Sequence, residues 1–172
     1  MSGAPALRFE PLSKKHDRAK FRCGEPALDD WFRARASQDE KRGLTRVFVA
    51  VDGEDDAVAG FYSLSAFTLA PENLPDDLKR KLPRYENLPA ALIGRLARSE
   101  KMHGRGVGEL LVADAIKRIL GASETLALYA ILVESKHARA SKFYRSFGFI
   151  PFPDTPNRLF LLTSTARAAL SR

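Results

Sequence analysis

A run of glycines between an apolar strand and an amphipathic helix constrains the fold of this chain more than any other feature of its sequence. Residues 91–97 (ALIGRLA) have the composition of a buried strand, and residues 103–108 (HGRGVG) follow after a short turn. Beyond the glycines, apolar side chains recur at helical spacing as far as Gly121, at Val107, Leu110, Leu111, Ala115, Ile116 and Ile119. The segment predicts a strand, a tight loop and a helix in succession.

This glycine loop has the properties of an anion site. Glycine allows a tight turn and a close approach to a ligand, and the first amides of a helix lack internal partners at the positive end of its dipole. Several amides can then bind one phosphate, with Arg105 as a charged contact. The Lys-Ser/Thr ending of a Walker loop and the acidic residue of a dinucleotide fold are absent, which disfavours ATPase and dehydrogenase functions. A purely structural turn is the alternative.

The remaining periodicities predict one domain over residues 1–172, with a mixed α/β fold and helices on both faces of the sheet. Further strands are expected at residues 7–10, 45–51, 57–67, 125–133, 149–152 and 158–163. Helices are expected at residues 26–42 and 76–81, and in a short segment that ends at Gly148. Residues 45–67 form a hairpin, and a second hairpin is expected at residues 149–163.

An excess of positive charge favours an anionic partner. The 172 residues include 28 Lys plus Arg and 21 Asp plus Glu, for a net charge of +7, which suits a nucleic acid, a phosphate-rich ligand or a membrane surface. The basic stretch at residues 14–22 is interpreted as a solvated loop. Cys23 is the only cysteine, so neither an intramolecular disulfide nor a thiolate metal cluster is possible. No signal peptide or membrane span is recognised, and a cytoplasmic location is expected.

Tyr144 lies on the short helix before Gly148, in the segment FYRSFGF. One interpretation is an aromatic helix packed on the sheet, with the tyrosine hydroxyl in water. The other is a proton donor with a pKa near 10, which suits a leaving group that departs as a basic thiolate.

Together these segments resemble the GNAT superfamily of acetyltransferases. The likeness rests on strand 91–97, the glycine loop and its helix, and the strand and tyrosine helix that follow. The family's loop pattern is Arg/Gln-x-x-Gly-x-Gly/Ala. Gly106 and Gly108 match its two small residues, whereas His103 stands at the Arg/Gln position. His137 stands seven residues before Tyr144, where the family often has Asn.

The front of the chain has a narrower likeness. Residues 21–32 (FRCGEPALDDWF) are similar to the first helix of the acetyltransferase toxins of bacterial type II toxin–antitoxin pairs. Residues 60–64 and 94–97 are similar to segments of the same toxins. The likeness covers residues 7–165.

The superfamily resemblance implies a mostly antiparallel sheet that is splayed at an acetyl-CoA site, without a metal. The pyrophosphate would bind the loop amides and the pantetheine arm would pair with the preceding strand. The implied cofactor-binding residues are Leu96, Ala97, Arg98, His103, Gly104, Arg105, Gly106, Val107 and Gly108. Tyr144 would act as the general acid that protonates the departing sulfur after direct attack by a neutral amine.

The cost of deprotonating that amine distinguishes substrate classes. Removing the proton from a lysine side chain with a pKa near 10.4 costs about 4–5 kcal/mol at pH 7. Removing it from an α-amine with a pKa near 8 costs about 1 kcal/mol. No residue is convincing as the general base that would deprotonate the amine. Glu134 is the best candidate for this role and Glu100 is a weaker one. Cys23 has no evident base partner and is an unlikely nucleophile. An α-amine substrate is favoured.

The toxin resemblance implies an aminoacyl-tRNA substrate, a ribbon-helix-helix antitoxin and possible homodimerisation. Residues that could hold tRNA phosphates, although each could equally be a solvated charge, are Arg33, Lys79, Arg80, Lys81, Arg95, Lys142 and Arg145. Two alternatives remain open. The chain could be a GNAT enzyme that acts on a small amine or a protein N-terminus, or a module that binds nucleic acid or CoA without catalysis.

Overall fold

Seven strands form one mixed sheet in the computed structural model, which describes residues 6–84 and 87–171. They are β1 (Leu7–Pro11), β2 (Arg46–Asp52), β3 (Val58–Leu69), β4 (Leu88–Arg98), β5 (Ala130–Glu134), β6 (Ile150–Pro151) and β7 (Arg158–Leu162). Their order is β1-β2-β3-β4-β5-β7-β6. β4 and β5 are parallel, whereas the pairs β1–β2, β2–β3, β5–β7 and β6–β7 are antiparallel. The predicted mixed and mostly antiparallel sheet is confirmed.

Six α-helices accompany these strands in the described ranges. They are α1 (Pro26–Ala34), α2 (Ala36–Lys41), α3 (Asp76–Lys79), α4 (Val107–Ala122), α5 (Ala138–Arg145) and α6 (Thr163–Leu170). Short 3-10 turns lie at Pro71–Asn73 and Glu100–Met102. Neither these turns nor α6 were predicted from the sequence. None of the described helices has the length and apolar character needed to span a bilayer. The first five residues, part of the segment used to argue against a signal peptide, lie outside the described ranges.

The backbone divides into two compact units, each with its own buried cluster. The first unit comprises Met1–Ser65 with Gly94–Ala115, and the second comprises Ala66–Ile93 with Ile116–Arg172. The single domain expected from the chain length therefore stays a prediction.

In the first unit, successive residues of β2 face opposite helices. Val47, Val49 and Val51 are buried in a cluster that includes Trp31 and Phe32 of α1. On the other face, the Phe48 ring stacks on the Tyr62 ring, and the Tyr62 hydroxyl donates to Asp114 of α4 at 2.5 Å. Because side chains alternate across a strand, α1 and α4 cover opposite faces, which confirms the expected helices on both faces in this unit.

Gly60 in β3 allows β4 and α4 to pack closely against this strand. A Cβ atom at this position would lie 2.8 Å from both the Ala97 carbonyl oxygen and Leu111 Cδ1. We expect G60A to lower the free energy of unfolding by about 1–3 kcal/mol through overpacking, as measured by urea denaturation. G121A is the control, since a Cβ atom there would meet nothing within 4 Å. Equal stability of the two variants would contradict this interpretation.

In the second unit, β5, β7 and β6 form a continuous antiparallel ladder. Leu132 and Phe160 lie in its buried cluster, and Phe152 packs on Phe160 with ring centroids 4.9 Å apart. The expected hairpin at residues 149–163 is thereby confirmed. α5 ends before Gly148, which has a φ of +98°.

One predicted helix is broken into two. The periodicity favoured a continuous helix over residues 26–42, but α1 ends at Ala34, and Arg35 separates it from α2 with a φ of −119°. Ala36 is fully buried, but residues 37–43 contain no apolar side chain. A straight continuation of α1 would therefore have no apolar face to pack against the core. The break also allows the Trp31 indole to donate to Asp39 at 2.9 Å.

One predicted strand is too long. Residues 125–133 were expected to be extended, but β5 begins at Ala130, and Leu126 is exposed. The pairing with β4 starts at Ala90↔Ala130. Before that position β4 presents Pro89, which has no amide hydrogen for a longer ladder; its carbonyl accepts from the Tyr129 amide at 2.8 Å. Apolar composition alone did not reveal this boundary.

Candidate functional site

The glycine loop is anchored at its start by a short and well-bonded turn. The Ser99 amide donates to the Ala59 carbonyl at 2.8 Å, and the Ser99 hydroxyl accepts from the Lys101 amide at 3.3 Å. Met102 is buried, whereas His103 and Gly104 are exposed. Gly104 and Gly106 have φ values of +77° and +75°, a region that residues with a side chain rarely adopt. The two glycines allow the tight turn that leads into α4.

The loop leaves a group of amides available at the start of α4. The amides of His103 and Arg105 donate within the turn, each at 3.3 Å, and the Leu110 amide donates to the Gly106 carbonyl at 3.2 Å. Among the bonds of the described residues, none uses the amides of Gly104 or of residues 106–108. A Cβ atom at Gly104 would meet open space. An anion could therefore bind these amides at the positive end of the helix dipole.

The backbone of β4 leading to the loop has one edge available. The Arg95 amide donates to the Ser63 hydroxyl at 2.9 Å and the Ser99 amide donates to Ala59, so both point towards β3. Because backbone groups alternate along a strand, Ala97 also faces β3, whereas Leu96 and Arg98 face the opposite edge. On that side the pairing with β5 ends at Ile93↔Val133, although β4 continues to Arg98. Leu96 and Arg98 can thus pair with an extended ligand.

Tyr144 combines a buried ring with an accessible hydroxyl. Its ring packs edge-on against Phe143 and Phe149, with centroids 5.4 and 5.8 Å away, and the residue is only 8% exposed. None of the described residues is hydrogen-bonded to the hydroxyl. Every fully buried side-chain oxygen of the described residues has a hydrogen-bond partner, so the Tyr144 hydroxyl oxygen is not fully buried. Burial raises the pKa of Tyr144 to about 12. The phenol therefore keeps its proton at neutral pH.

His137 and Glu134, both near the start of the tyrosine helix, have structural partners. His137 Nδ1 accepts from the Ala140 amide at 3.2 Å and caps α5, so the histidine performs an N-cap role there. Glu134 Oε1 accepts from Arg158 Nε at 3.0 Å, and Arg158 Nη2 lies 3.0 Å from the same oxygen in an ion pair. An ion pair with Arg158 therefore occupies the Glu134 carboxylate. Glu100, the weaker candidate, is exposed at the turn before the loop.

Arg95 belongs to a cluster that the sequence did not reveal. Its guanidinium carbon lies 4.0 Å from the centroid of the Trp31 ring, and the Trp31 indole is bonded to Asp39. Burial lowers the pKa of Arg95, while the Asp39 carboxylate opposes that change. The ring fixes the guanidinium through a cation–π contact. These residues come from β4, α1 and α2, and no local pattern connects them.

The other candidate cations differ in how firmly they are held. Arg33 is half-buried and donates to the Phe21 carbonyl through Nε and Nη2, at 3.3 and 3.0 Å. Lys79 pairs with Asp76 at 3.1 Å, and Arg80 donates to the Asp76 carbonyl at 3.3 Å. The three remaining cations are exposed: Lys81, Lys142 and Arg145.

Cys23 lacks the properties of a catalytic nucleophile. Burial raises the pKa of the Cys23 thiol to about 11, so the thiolate needed of a nucleophile is scarce at neutral pH. The Cys23 amide donates to the buried Asp29 carboxylate at 2.9 Å. Within residues 6–84 and 87–171, no group of three or more His, Cys, Asp or Glu side chains could hold a metal ion.

Comparison with known proteins identifies the family. Residues 43–151 match the family described as "Acetyltransferase (GNAT) domain". The chain belongs to the GNAT acetyltransferases. The resemblance recognised in the glycine loop and the tyrosine helix is thereby confirmed, and this GNAT chain is an acetyltransferase.

Two relatives align with this GNAT protein over almost its whole length. A protein named "tRNA-acetylating toxin" from Mycobacterium tuberculosis strain H37Rv is 39% identical over 170 residues and covers 99% of both chains. A protein named "Probable toxin TacT" from Sinorhizobium fredii strain NGR234 is 31% identical over 177 residues and covers 98% of both chains.

Solved structures of the toxin AtaT have the same GNAT fold. AtaT complexed with acetyl-methionyl-tRNAfMet superposes with a TM-score of 0.88 at 28% identity, covering 96% of this chain and 99% of that chain. AtaTR bound with AcCoA gives a TM-score of 0.83 at 29% identity, covering 95% and 98%. An AtaT mutant with a tyrosine replaced by phenylalanine, bound to the C-terminus of the antitoxin AtaR, gives 0.81 at 26% identity, covering 96% and 99%.

Proposed function

We propose that this protein transfers the acetyl group of acetyl-CoA to the α-amine of an aminoacyl-tRNA and acts as a toxin by blocking translation. The relatives named as toxins support the substrate class, and so does the similarity to AtaT in complex with an acetylated aminoacyl-tRNA. The observation that carries the proposal is the unpaired edge of β4 leading to the free amides of the glycine loop.

The described residues are suited to bind acetyl-CoA. The amides of Gly104, Gly106, Val107 and Gly108 would hold the pyrophosphate at the start of α4, with His103 and Arg105 beside them. The main chains of Leu96 and Arg98 would pair with the pantetheine amides, while Ala97 keeps β4 joined to β3. The positive φ of Gly104 and Gly106 turns the loop without a Cβ atom in the path of the ligand.

Two groups of the chain would act on the reaction. Acetyl-CoA, when bound, supplies a thioester acetyl group. The Leu96 amide would polarise its carbonyl oxygen as an oxyanion donor. The amine nitrogen would attack the carbonyl carbon as the carbon–sulfur bond breaks, and the Tyr144 hydroxyl would give its proton to the sulfur. The proton that the acetylated nitrogen loses would then restore the phenol. Since Glu134 is paired with Arg158, the amine would arrive neutral from water, which favours an α-amine over a lysine.

The pH profile tests these protonation states. We expect kcat/KM for an amide-linked aminoacyl-tRNA analogue to rise with pH through the amine pKa, near 8 or below. It should then remain flat to about pH 10, because burial raises the pKa of Tyr144 to about 12 and keeps the phenol protonated. A decline centred between pH 7 and 9 would contradict Tyr144 as the proton donor.

Arg95 is proposed to hold a tRNA phosphate near the acceptor amine. Its guanidinium is fixed on Trp31 and keeps its charge for a phosphate. We expect R95A to raise KM for aminoacyl-tRNA by about tenfold, the usual effect of losing a charge-assisted contact, and to leave KM for acetyl-CoA within twofold. Steady-state kinetics measure both constants. A change in KM for acetyl-CoA alone would contradict this assignment.

The remaining candidate cations would add tRNA phosphate contacts without reading bases. Arg33 would present a fixed guanidinium, and the more mobile side chains of Lys79, Arg80, Lys81, Lys142 and Arg145 would add charge. The protein would act in the cytoplasm.

The proposed partner is a ribbon-helix-helix antitoxin whose C-terminal tail binds the toxin, and the toxin itself is proposed to form a homodimer. The binding of AtaT to the C-terminus of AtaR supports an antitoxin that binds through its C-terminal tail.

Controlled expression in a bacterium tests the toxin proposal. We expect growth arrest together with the accumulation of N-acetylated aminoacyl-tRNA. Expression without arrest would instead favour an acetyltransferase of a small amine or a protein N-terminus. Arrest without acetylated tRNA would contradict the proposed substrate.

A further inference from the structure

The basic stretch at residues 14–22 forms one side of an open depression in the first unit. The depression is lined by Lys14, Lys15, His16, Asp17, Arg18, Ala19 and Arg33. We call this surface the basic depression. Its lining contains four Lys or Arg side chains and one carboxylate, so its charge is strongly positive. Most residues of the basic stretch are exposed, whereas Arg18 and Arg33 are held in place.

The arginines of the basic depression are fixed by neutral carbonyl groups. Arg18 Nη1 donates to the Phe32 carbonyl at 2.8 Å, and Arg33 donates to the Phe21 carbonyl through Nε and Nη2. A carbonyl orients a guanidinium without neutralising it. The Asp29 carboxylate lies 3.8 Å from Arg33 Nη2 and accepts a hydrogen bond from the Cys23 amide. Each guanidinium therefore keeps unused N–H donors in a defined position, as phosphate recognition requires.

The lysines and the histidine of this surface have separate roles. Lys14 is exposed, and Lys15 lies 3.3 Å from Glu10 with two thirds of its side chain exposed. His16 is buried, and its Nε2 lies 2.7 Å from Glu10 Oε1 while its Nδ1 accepts from the Ser13 amide. The histidine thus fixes the loop backbone, Lys14 is exposed to a ligand, and Lys15 keeps most of its side chain exposed beside Glu10.

The basic depression adjoins the turn that leads to the glycine loop. The Arg22 carbonyl, at the end of the basic stretch, accepts from the Glu100 amide at 2.8 Å. Glu100 begins the 3-10 turn just before residues 103–108. A long polyanion bound in the depression would lie on the same unit as the amides proposed to hold acetyl-CoA.

We propose that the basic depression binds the phosphodiester backbone of the tRNA substrate, through Lys14, Lys15, Arg18 and Arg33. This inference rests on the proposed function. It adds a tRNA contact surface outside the site where the acetyl group would be transferred. The lining has no large apolar side chain, whereas a peptide partner needs apolar anchors at the core of its interface. A nucleic-acid backbone needs only cations and donors.

Binding of deacylated tRNA to the full-length protein, measured at several salt concentrations without acetyl-CoA, tests the proposal. The variant K14Q/K15Q removes two exposed charges, and K41Q/R42Q is the matched control, since both residues are exposed on α2 or just after it. We expect the first variant to bind tRNA about tenfold more weakly, with a log–log salt slope shallower by about two. The control should bind within twofold of the wild type.

A conservative variant separates position from charge. R18K keeps the positive charge but loses the planar fork, and we expect about threefold weaker tRNA binding with an unchanged melting temperature. Wild-type tRNA affinity and salt slope in K14Q/K15Q would overturn the proposal.

Two further ligands distinguish the sources of negative charge. If the binding of polyglutamate required Lys14 and Lys15 while the binding of tRNA did not, the surface would be assigned to an acidic peptide. If the binding of a DNA duplex depended on the two lysines as strongly as that of tRNA, the tRNA assignment would be overturned. These binding assays involve no acetyl transfer, so they can succeed even where the proposed function fails. In that case the wild-type protein would bind tRNA but would acetylate no aminoacyl-tRNA.

Discussion

Y144F is expected to lower kcat for acetyl transfer by about 10²–10⁴-fold, the usual contribution of a general acid. The ring would keep its packing on Phe143 and Phe149, so the substitution removes only the hydroxyl. Without a donor, the sulfur must leave as a thiolate beside an apolar wall, where a charge is poorly solvated. Steady-state kinetics on aminoacyl-tRNA, together with calorimetry for acetyl-CoA, measure the effect.

Y129F is the matched control for this experiment. Tyr129 is half-buried, and burial raises its pKa as it does that of Tyr144, but it has no proposed role in the reaction. We expect Y129F to retain kcat within twofold, and Y144F to bind acetyl-CoA with unchanged affinity. If Y144F retained at least a third of the wild-type kcat, the proton would come from another group and Tyr144 would be a packing residue.

G106V is expected to weaken acetyl-CoA binding by about 100-fold. A β-branched residue at a φ of +75° is strained by about 1–2 kcal/mol. Relief of that strain would move the amides at the start of α4, which are proposed to hold the pyrophosphate. Losing one or two charge-assisted hydrogen bonds, each worth about 1.5–3 kcal/mol, accounts for the loss of affinity, since a 100-fold change corresponds to about 2.7 kcal/mol. Calorimetric titration with acetyl-CoA measures the dissociation constant directly.

Gly43 provides a control with the same backbone conformation. Its φ is +74° and a Cβ atom there would meet nothing within 4 Å. G43V should therefore have a similar cost in stability and no effect on acetyl-CoA affinity. Equal affinities in G106V and the wild type would show that the loop does not bind the pyrophosphate.

The sequence predicted those parts of the fold that depend on local patterns. The glycine loop and α4 follow from adjacent residues, because helical spacing after Val107 and the glycines before it are both visible in the chain. The hairpin of β2 and β3 follows from two β-branched runs around an acidic turn. Tyr144 was recognised from its place in an aromatic segment before Gly148.

Other features depend on partners that are distant in the chain. The break at Arg35 reflects the burial of Ala36 and the bond from Trp31 to Asp39, and the late start of β5 reflects Pro89 on the neighbouring strand. The stacking of Arg95 on Trp31 joins residues 64 positions apart. Leu96 and Ala97 face opposite edges because backbone groups alternate along a strand, but which of them faces β3 follows from the bond between Arg95 and Ser63, a contact that the sequence does not reveal.

The central claim is most directly tested by incubating the purified protein with labelled acetyl-CoA and total charged tRNA, and then identifying the products by mass spectrometry. We predict an acetyl group on the α-amine of the amino acid of at least one aminoacyl-tRNA, and no product with Y144F over the same time. Labelled free amines or protein N-termini, with every aminoacyl-tRNA unmodified, would contradict the account.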